Sequence, residues 1–207
     1  MSFRSVLFVL VAGLFAGADL RAGEPVVLVL GDSLSAAHGM PEAAGWVALL
    51  AARGEGRLRV VNASISGETT AGGVSRLPGL LAAHAPAVVV IELGANDGLR
   101  GLPMAQIREH LGQLVQQAQG AGARVLLLGI ELPVNYGPRY RDQLRQVYAS
   151  LAQELDTGLV PFMLEGVALD PRLMQDDGLH PNAAAQPVVL DIIWPALLPL
   201  LDAMPTP

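Results

Sequence analysis

Five short apolar runs, each separated from the next by a longer stretch of helical periodicity, limit what this chain can fold into more than any other feature. The runs are Val26–Leu30, Leu58–Val61, Ala87–Leu93, Arg124–Ile130 and Gly158–Phe162. Between and after them the helical stretches are Gly45–Arg53, Thr70–His84, Met104–Gly120, Arg139–Leu155 and Ala183–Leu201. A strand with one wet face alternates apolar and polar residues; these runs do not alternate, so both faces are expected to be covered. Strands buried on both faces and separated by helices form a parallel sheet with helices on either side. Right-handed crossovers then give a doubly wound, three-layer α/β/α sandwich. The strand order is not contained in the periodicity. At 207 residues, with no linker, repeat or low-complexity segment, one domain is expected.

The N-terminus stands apart from this pattern. One arginine lies in Met1 to Ser5, an eleven-residue apolar run follows from Val6 to Ala16, and small residues come next in Ala16-Gly17-Ala18 and Leu20-Arg21-Ala22. This is the layout of a secretory signal peptide, too short to span a bilayer, where about 20 residues are needed. The expected division is a signal over residues 1–22, cut after Ala22 with Ala18 as the second choice, and a domain over residues 23–207. No other segment is read as long and apolar enough to span. The mature protein is therefore expected in the periplasm or secreted, monomeric and without a stable membrane anchor.

Composition removes whole classes of chemistry. There is no cysteine, and all 13 basic residues are arginine. A cysteine nucleophile, a serine–lysine dyad, a lysine Schiff base, a P-loop lysine and a cysteine-ligated zinc are excluded. The absence of cysteine also means that no disulfide supports the fold. The net charge of −6 and the lack of a basic cluster give nucleic acid no electrostatic footing. Asn62-Ala63-Ser64 matches a glycosylation sequon, a frequent chance match that here precedes a glycine turn.

Serine, histidine and carboxylate chemistry remains. In a doubly wound sheet the working residues sit at the carboxyl ends of the strands. Ser33 directly follows the first run, Ser66-Gly67 the second, Gly94-Ala95-Asn96-Asp97 the third and Glu131 to Pro138 the fourth, while Asp177 and His180 lie beyond the fifth. Ser33 is the candidate nucleophile, since a strand-to-turn position exposes its hydroxyl, although Asp-Ser is also a common helix cap. His180 is the candidate base. His84 at a helix end is read as a cap and His110 as lying on a wet helix face. His38 is placed at the cleft mouth. Asp177, three residues before His180, can reach its Nδ1–H and fix the tautomer; Asp176 is the neighbour that competes for this reading. Gly67 through its backbone N–H and Asn96 through its amide are candidate oxyanion donors, with turn chemistry as the alternative for both. A metal held by Asp176, Asp177 and His180 is not expected, because no further histidine or acidic cluster joins them.

Gly31-Asp32-Ser33-Leu34-Ser35, Gly67, Gly94-Ala95-Asn96-Asp97 and Asp177-Gly178-Leu179-His180-Pro181 resemble, in order and surroundings, the motif blocks of the SGNH (GDSL) hydrolase superfamily. The resemblance runs from about Val26 to Leu200 and is strongest to the bacterial periplasmic thioesterase I/protease I/lysophospholipase, or arylesterase, branch. It implies a flavodoxin-like five-stranded parallel sheet and a Ser33–His180–Asp177 triad. It also implies an oxyanion hole from Ser33, Gly67 and Asn96, and cofactor-free hydrolysis of small acyl esters, acyl thioesters and lysophospholipids. Ala95 stands where relatives often have glycine. Asp32 belongs to the motif but has no chemical role assigned. A carbohydrate deacetylase on the same scaffold and a noncatalytic ligand-binding module are the alternatives. The apolar Leu99, Leu102, Pro103 and Met104, together with Leu132, Pro133 and Val134, favour a fatty acyl chain over acetyl. Gly98 and Gly101 flank Leu99 and Arg100, so the loop is expected to hinge while Leu99 and Leu102 cover the chain and Pro103 fixes its far end. In the branch it resembles, the corresponding loop moves on substrate binding.

Overall fold

A computed structural model describes residues 24–202. The expected signal segment and the Met204-Pro205-Thr206-Pro207 tail lie outside the described residues. Five parallel strands, β1 (Val26–Gly31), β2 (Arg59–Asn62), β3 (Val88–Glu92), β4 (Arg124–Leu128) and β5 (Gly158–Val160), form one sheet in the order β2-β1-β3-β4-β5. The six helices named here are α1 (Trp46–Arg53), α2 (Thr70–His84), α3 (Ala95–Leu99), α4 (Met104–Gly120), α5 (Pro138–Glu154) and α6 (Gln186–Asp202).

The order explains the layers. The chain steps from β1 outward to β2, then reverses through β3, β4 and β5. Right-handed crossovers in opposite directions put their helices on opposite faces. Accordingly α2, α4 and α5 pack side by side over one face, while α1 and α6 pack together over the other. β1 and β3 are buried along their whole length, as their unbroken apolar runs demand. The edge strands β2 and β5 are only partly covered. The reversal makes the ends of β1 and β3 a topological switch point, where the loops leave in opposite directions and a crevice opens.

Helix boundaries follow local signals. Thr69 caps α2 by accepting from the Gly72 N–H (3.2 Å), and Ala85 closes it in a left-handed conformation just before Pro86. Pro138 starts α5 at a position where a missing N–H costs nothing.

The final helical stretch departs from expectation in two ways. It opens as a single 3-10 turn, Ala183–Ala185, because Asn182 caps the Ala184 N–H (2.9 Å), and only then becomes α6. It also corrects the reading that no segment beyond the N-terminal run could span a membrane. Ala183–Asp202 is 20 residues with mean hydropathy 1.6, long and apolar enough by length and composition. The reason lies in its place: one stripe, including Val189, Leu190, Ile193 and Leu197, is buried in the core, while Pro187, Val188, Pro195 and Pro199 occupy the outer positions.

Candidate active site

The β1–α1 connection turns sharply after Gly31. The Asp32 side chain accepts from the Leu34 N–H (3.0 Å), and the Asp32 carbonyl accepts from the Ala36 N–H (2.9 Å). This turn lifts Ser33 out of the sheet edge. Its hydroxyl donates to His180 Nε2 across 2.9 Å, bridging 147 positions of sequence. On the far side of the ring, His180 Nδ1–H donates to Asp177 Oδ2 at 2.6 Å. The remaining oxygen, Asp177 Oδ1, accepts from the backbone N–H groups of Leu179 (2.9 Å) and His180 (3.0 Å). One carboxylate thus shapes the turn and orients the ring, and Asp176 next to it is turned to solvent. Burial alone would raise the Asp177 carboxyl, but the bonds from the His180 ring and from the two backbone N–H groups take it down to about 2. It is therefore a standing anion beside the imidazole.

The segment carrying this pair is pinned. Met174 and Pro181 form an antiparallel bridge, the Gln175 N–H donates to the His180 carbonyl (2.8 Å), and Asn182 N–H donates to the Leu173 carbonyl (2.8 Å). The Gln175 amide donates to the His38 carbonyl at 2.8 Å, tying this segment to the turn after Ser33. The His38 ring leans on His180 with centroids 4.4 Å apart, at the mouth of the cleft.

Gly67 and Asn96 reach the same place from β2 and β3. Gly67 has φ +82°, a left-handed conformation that favours glycine, and Arg100 holds its carbonyl (3.1 Å). Among the described residues the Ser33 and Gly67 N–H groups donate to no protein acceptor. Asn96 Nδ2 donates one hydrogen to Asp32 Oδ2 at 2.9 Å, leaving the second for a ligand. A cleft of about 310 Å³ is lined by Ser33, Gly67, Asn96 and His180 at one end and by Leu99, Ile130, Leu132, Pro133 and Leu164 along its wall. Wider grooves of about 530 and 450 Å³ along α4 and α5 are lined by residues such as Arg108, Gln143, Gln146 and Gln113, with no serine–histidine pair. No group of three or more metal-ligating side chains gathers among the described residues.

The loop after Asn96 differs from expectation. Gly98 is buried inside the short helix α3, where a Cβ would meet Leu132 at 2.8 Å, so it serves close packing and not hinging. The turn glycine is Gly101, at φ +69°. Leu99 lines the cleft. Leu102 and Pro103 are not among the lining residues: Leu102 packs on the core and Pro103 precedes α4. Two tyrosines hold this loop, Tyr136 donating to the Leu99 carbonyl (2.8 Å) and Tyr140 to the Leu102 carbonyl (2.7 Å).

His110 is half-buried, which corrects its reading as a wet-face residue. Thr70 gives its only hydroxyl hydrogen to Asp97 Oδ1 (2.5 Å), so His110 Nδ1–H must be the donor in the 3.1 Å contact with Thr70 Oγ1. Asp97 also accepts from the Thr70 N–H (2.9 Å) and so ties the start of α2, just past Gly67, to α3, which carries Asn96. Sequence reasoning also missed Glu92 and gave Asp32 no role. Both are fully buried behind Asn96. The available signal was a carboxylate ending an otherwise wholly aliphatic strand, Val88-Val89-Val90-Ile91-Glu92.

The chain matches the GDSL-like lipase/acylhydrolase family over residues 29–187. It is 55% identical over 184 residues to an esterase, TesA, of Pseudomonas aeruginosa, covering 87% of this chain and 92% of that one. It is 47% identical over 181 residues to the thioesterase 1/protease 1/lysophospholipase L1 of Escherichia coli, covering 87% of each. Among solved structures, a crystal structure of TesA superposes with TM-score 0.83 at 56% identity, covering 84% of this chain and 99% of that one. The psychrotrophic esterase EstA from Pseudoalteromonas, inhibited by monoethylphosphonate, gives TM-score 0.82 at 40% identity, with coverage of 86% and 100%.

Proposed function

The chain belongs to the GDSL-like lipase/acylhydrolase family and is a hydrolase of acyl esters and thioesters, and from that premise we propose that Ser33, His180 and Asp177 carry out the reaction through an acyl-enzyme. The observation that carries this reading is the unbroken line Ser33 Oγ–His180 Nε2 (2.9 Å) and His180 Nδ1–Asp177 Oδ2 (2.6 Å) at the mouth of an apolar cleft.

A serine hydroxyl needs a base to attack at neutral pH. Because Asp177 takes the Nδ1 hydrogen, the lone pair of the neutral ring lies on Nε2, facing Ser33. His180 accepts the Ser33 proton as Oγ bonds to the acyl carbon. The carbonyl oxygen becomes an oxyanion facing the unengaged N–H groups of Ser33 and Gly67 and the second amide hydrogen of Asn96. Such donors act mainly on the transition state. His180 then gives its proton to the departing thiol or alcohol, and water repeats the sequence on the acyl-enzyme. Thiols, with pKa near 8.5, leave more readily than alcohols. The aliphatic wall of Leu99, Ile130, Leu132 and Leu164 supports medium and long acyl chains, lysophospholipids among them, over acetyl.

Labelling with a fluorophosphonate tests the nucleophile. Wild type is expected to take one label, on Ser33; Ser33→Ala takes none, and Ser33→Ala and His180→Ala both lose ester and thioester turnover while remaining folded. Turnover near wild type in either variant overturns the triad. The N-terminal layout supports export with cleavage after Ala22, and the mass of the protein recovered from the periplasmic fraction tests that position against Ala18.

A further inference from the structure

Behind the oxyanion donors lies a polar cluster that the reaction just described does not use. Asp32 and Glu92 are both fully buried. Glu92 Oε2 accepts from the Asp32 N–H (3.1 Å) and the Ser35 hydroxyl (2.8 Å). Glu92 Oε1 is sealed from solvent with no hydrogen-bond partner among the described residues. Among the described residues no arginine or histidine forms an ion pair with it. Gly31 makes this approach possible: a Cβ there would fall 2.7 Å from Glu92 Oε2 and 2.8 Å from the Ser35 side chain.

An unpaired, buried carboxylate is costly, and two in contact are costlier, so the stable arrangement holds one proton. Burial, the largest effect on both, pushes Asp32 up to about 6 and Glu92 well above the carboxylate range, with the Asp32 charge adding to the rise at Glu92. Of the two, Asp32, raised only to about 6, is the anion at neutral pH. That anion has two engaged oxygens, Oδ1 taking the Leu34 N–H and Oδ2 the Asn96 amide.

We propose that Asp32, a buried carboxylate that only accepts, is the positioning residue that sets the amide of Asn96, so that an N–H and never the carbonyl oxygen faces the reacting oxygen. The chemistry is one-sided: a carboxylate only accepts hydrogen bonds, whereas a side-chain amide has an oxygen and a nitrogen of nearly equal shape. Against an acceptor-only neighbour, Asn96 must turn Nδ2 toward Asp32, and the second hydrogen of that same nitrogen points into the cleft. Replacing Asp32 by a group that can donate removes the choice. Asn96 can then turn its oxygen to the same place, where it repels a developing oxyanion. Glu92 acts one step further back, by accepting from the Asp32 N–H (3.1 Å) and the Ser35 hydroxyl (2.8 Å) in the space Gly31 leaves open.

This inference rests on Asn96 as an oxyanion donor, and a double-mutant cycle separates the two claims. Asp32→Asn keeps an oxygen for the Leu34 N–H, so the turn carrying Ser33 is preserved. It is expected to lower kcat about tenfold or more with KM changed less than about twofold, whereas in an Asn96→Ala background the same change lowers kcat less than about twofold. A second pair guards against a folding defect. Glu92→Gln keeps an oxygen to accept from the Asp32 N–H and the Ser35 hydroxyl and loses less kcat than Glu92→Met, which has none; both lose their effect once Asn96 is alanine. If Asp32→Asn multiplies the Asn96→Ala loss in full, or if Glu92→Met and Glu92→Gln are alike, the positioning role is refuted. If Asn96→Ala leaves kcat intact, the oxyanion reading itself fails instead.

Discussion

Asn96 and Asp177 each stand at the end of a hydrogen bond whose other end fixes what they do, and substitutions should separate the two. Asn96→Ala is expected to lower kcat by an amount equivalent to about 2.7–4 kcal/mol with little change in KM, because an oxyanion donor, the role proposed for its free amide hydrogen, acts on an oxygen that becomes charged only in the transition state. A change confined to KM in steady-state kinetics would make it a substrate contact. Asp177→Ala should be severe yet incomplete, since the carboxylate orients the ring without reacting, while Asp176→Ala, in solvent, should be near neutral; the reverse order would move the role to Asp176. Ser33, Asp177 and His180 were legible in the sequence because their signals are local: a serine directly past an apolar run, and a carboxylate three residues before a histidine in a chain with few alternatives. Asp32 and Glu92 were not, because their meaning lies in a contact across 60 positions that only the pairing of β1 with β3 creates.

Among elements, α3 and the loop after it show where local reading reaches its limit. Two glycines three residues apart signal a flexible loop, yet one of them is spent on letting Leu132 approach a helix. Leu99 faces the cleft and Leu102 faces the core, so their truncations should part company. Leu99→Ala is expected to flatten the rise of kcat/KM with acyl length across a series of p-nitrophenyl esters and acyl-CoAs, since each buried methylene is worth up to about 0.8 kcal/mol. Leu102→Ala should leave the slope in place and lower the melting temperature. Equal scaling of all chain lengths in Leu99→Ala would remove Leu99 from the acyl site. The helices α2 and α4 occupy the expected ranges because their ends carry strong local signals, the Thr69 cap and Pro103. The final stretch, where Asn182 interposes a 3-10 turn, and the strand ends, where pairing stops, depend on neighbours that periodicity does not name.

For the molecule as a whole, the layers were legible and the strand order was not, since every order of five buried strands produces the same apolar runs. The buried carboxyl pair now sets an expectation for overall stability. Glu92 is raised in the folded state, so its contribution to stability is fully present below the free carboxyl value of about 4.3 and is lost as the pH rises. Asp32, raised to about 6, acts in the same direction between about 4 and 6. Asp170 and Asp177, both lowered to about 2, act in the opposite direction, their contributions being lost as the pH falls from about 4 toward 2. Glu92→Gln keeps the neutral shape and removes the cost of protonating Glu92. It should match wild type in denaturant titrations near pH 4 and exceed it at pH 7.5, the gap growing by up to about 1.4 kcal/mol per pH unit while Glu92 stays protonated. Identical stabilities at both pH values would mean that Glu92 is ionised in the folded protein.

The bridge from Met174 to Pro181, and the amide of Gln175 on the His38 carbonyl, join the last loop of the chain to the first. Synthesis runs from the N-terminus, so Ser33 is made well before His180, which lies on the segment leading into α6. A chain made only as far as β5 therefore holds Ser33 without the imidazole that it meets in the folded protein. The line from Ser33 to His180 closes only when the end of β1 and the segment before α6 have been brought to the same edge of the sheet.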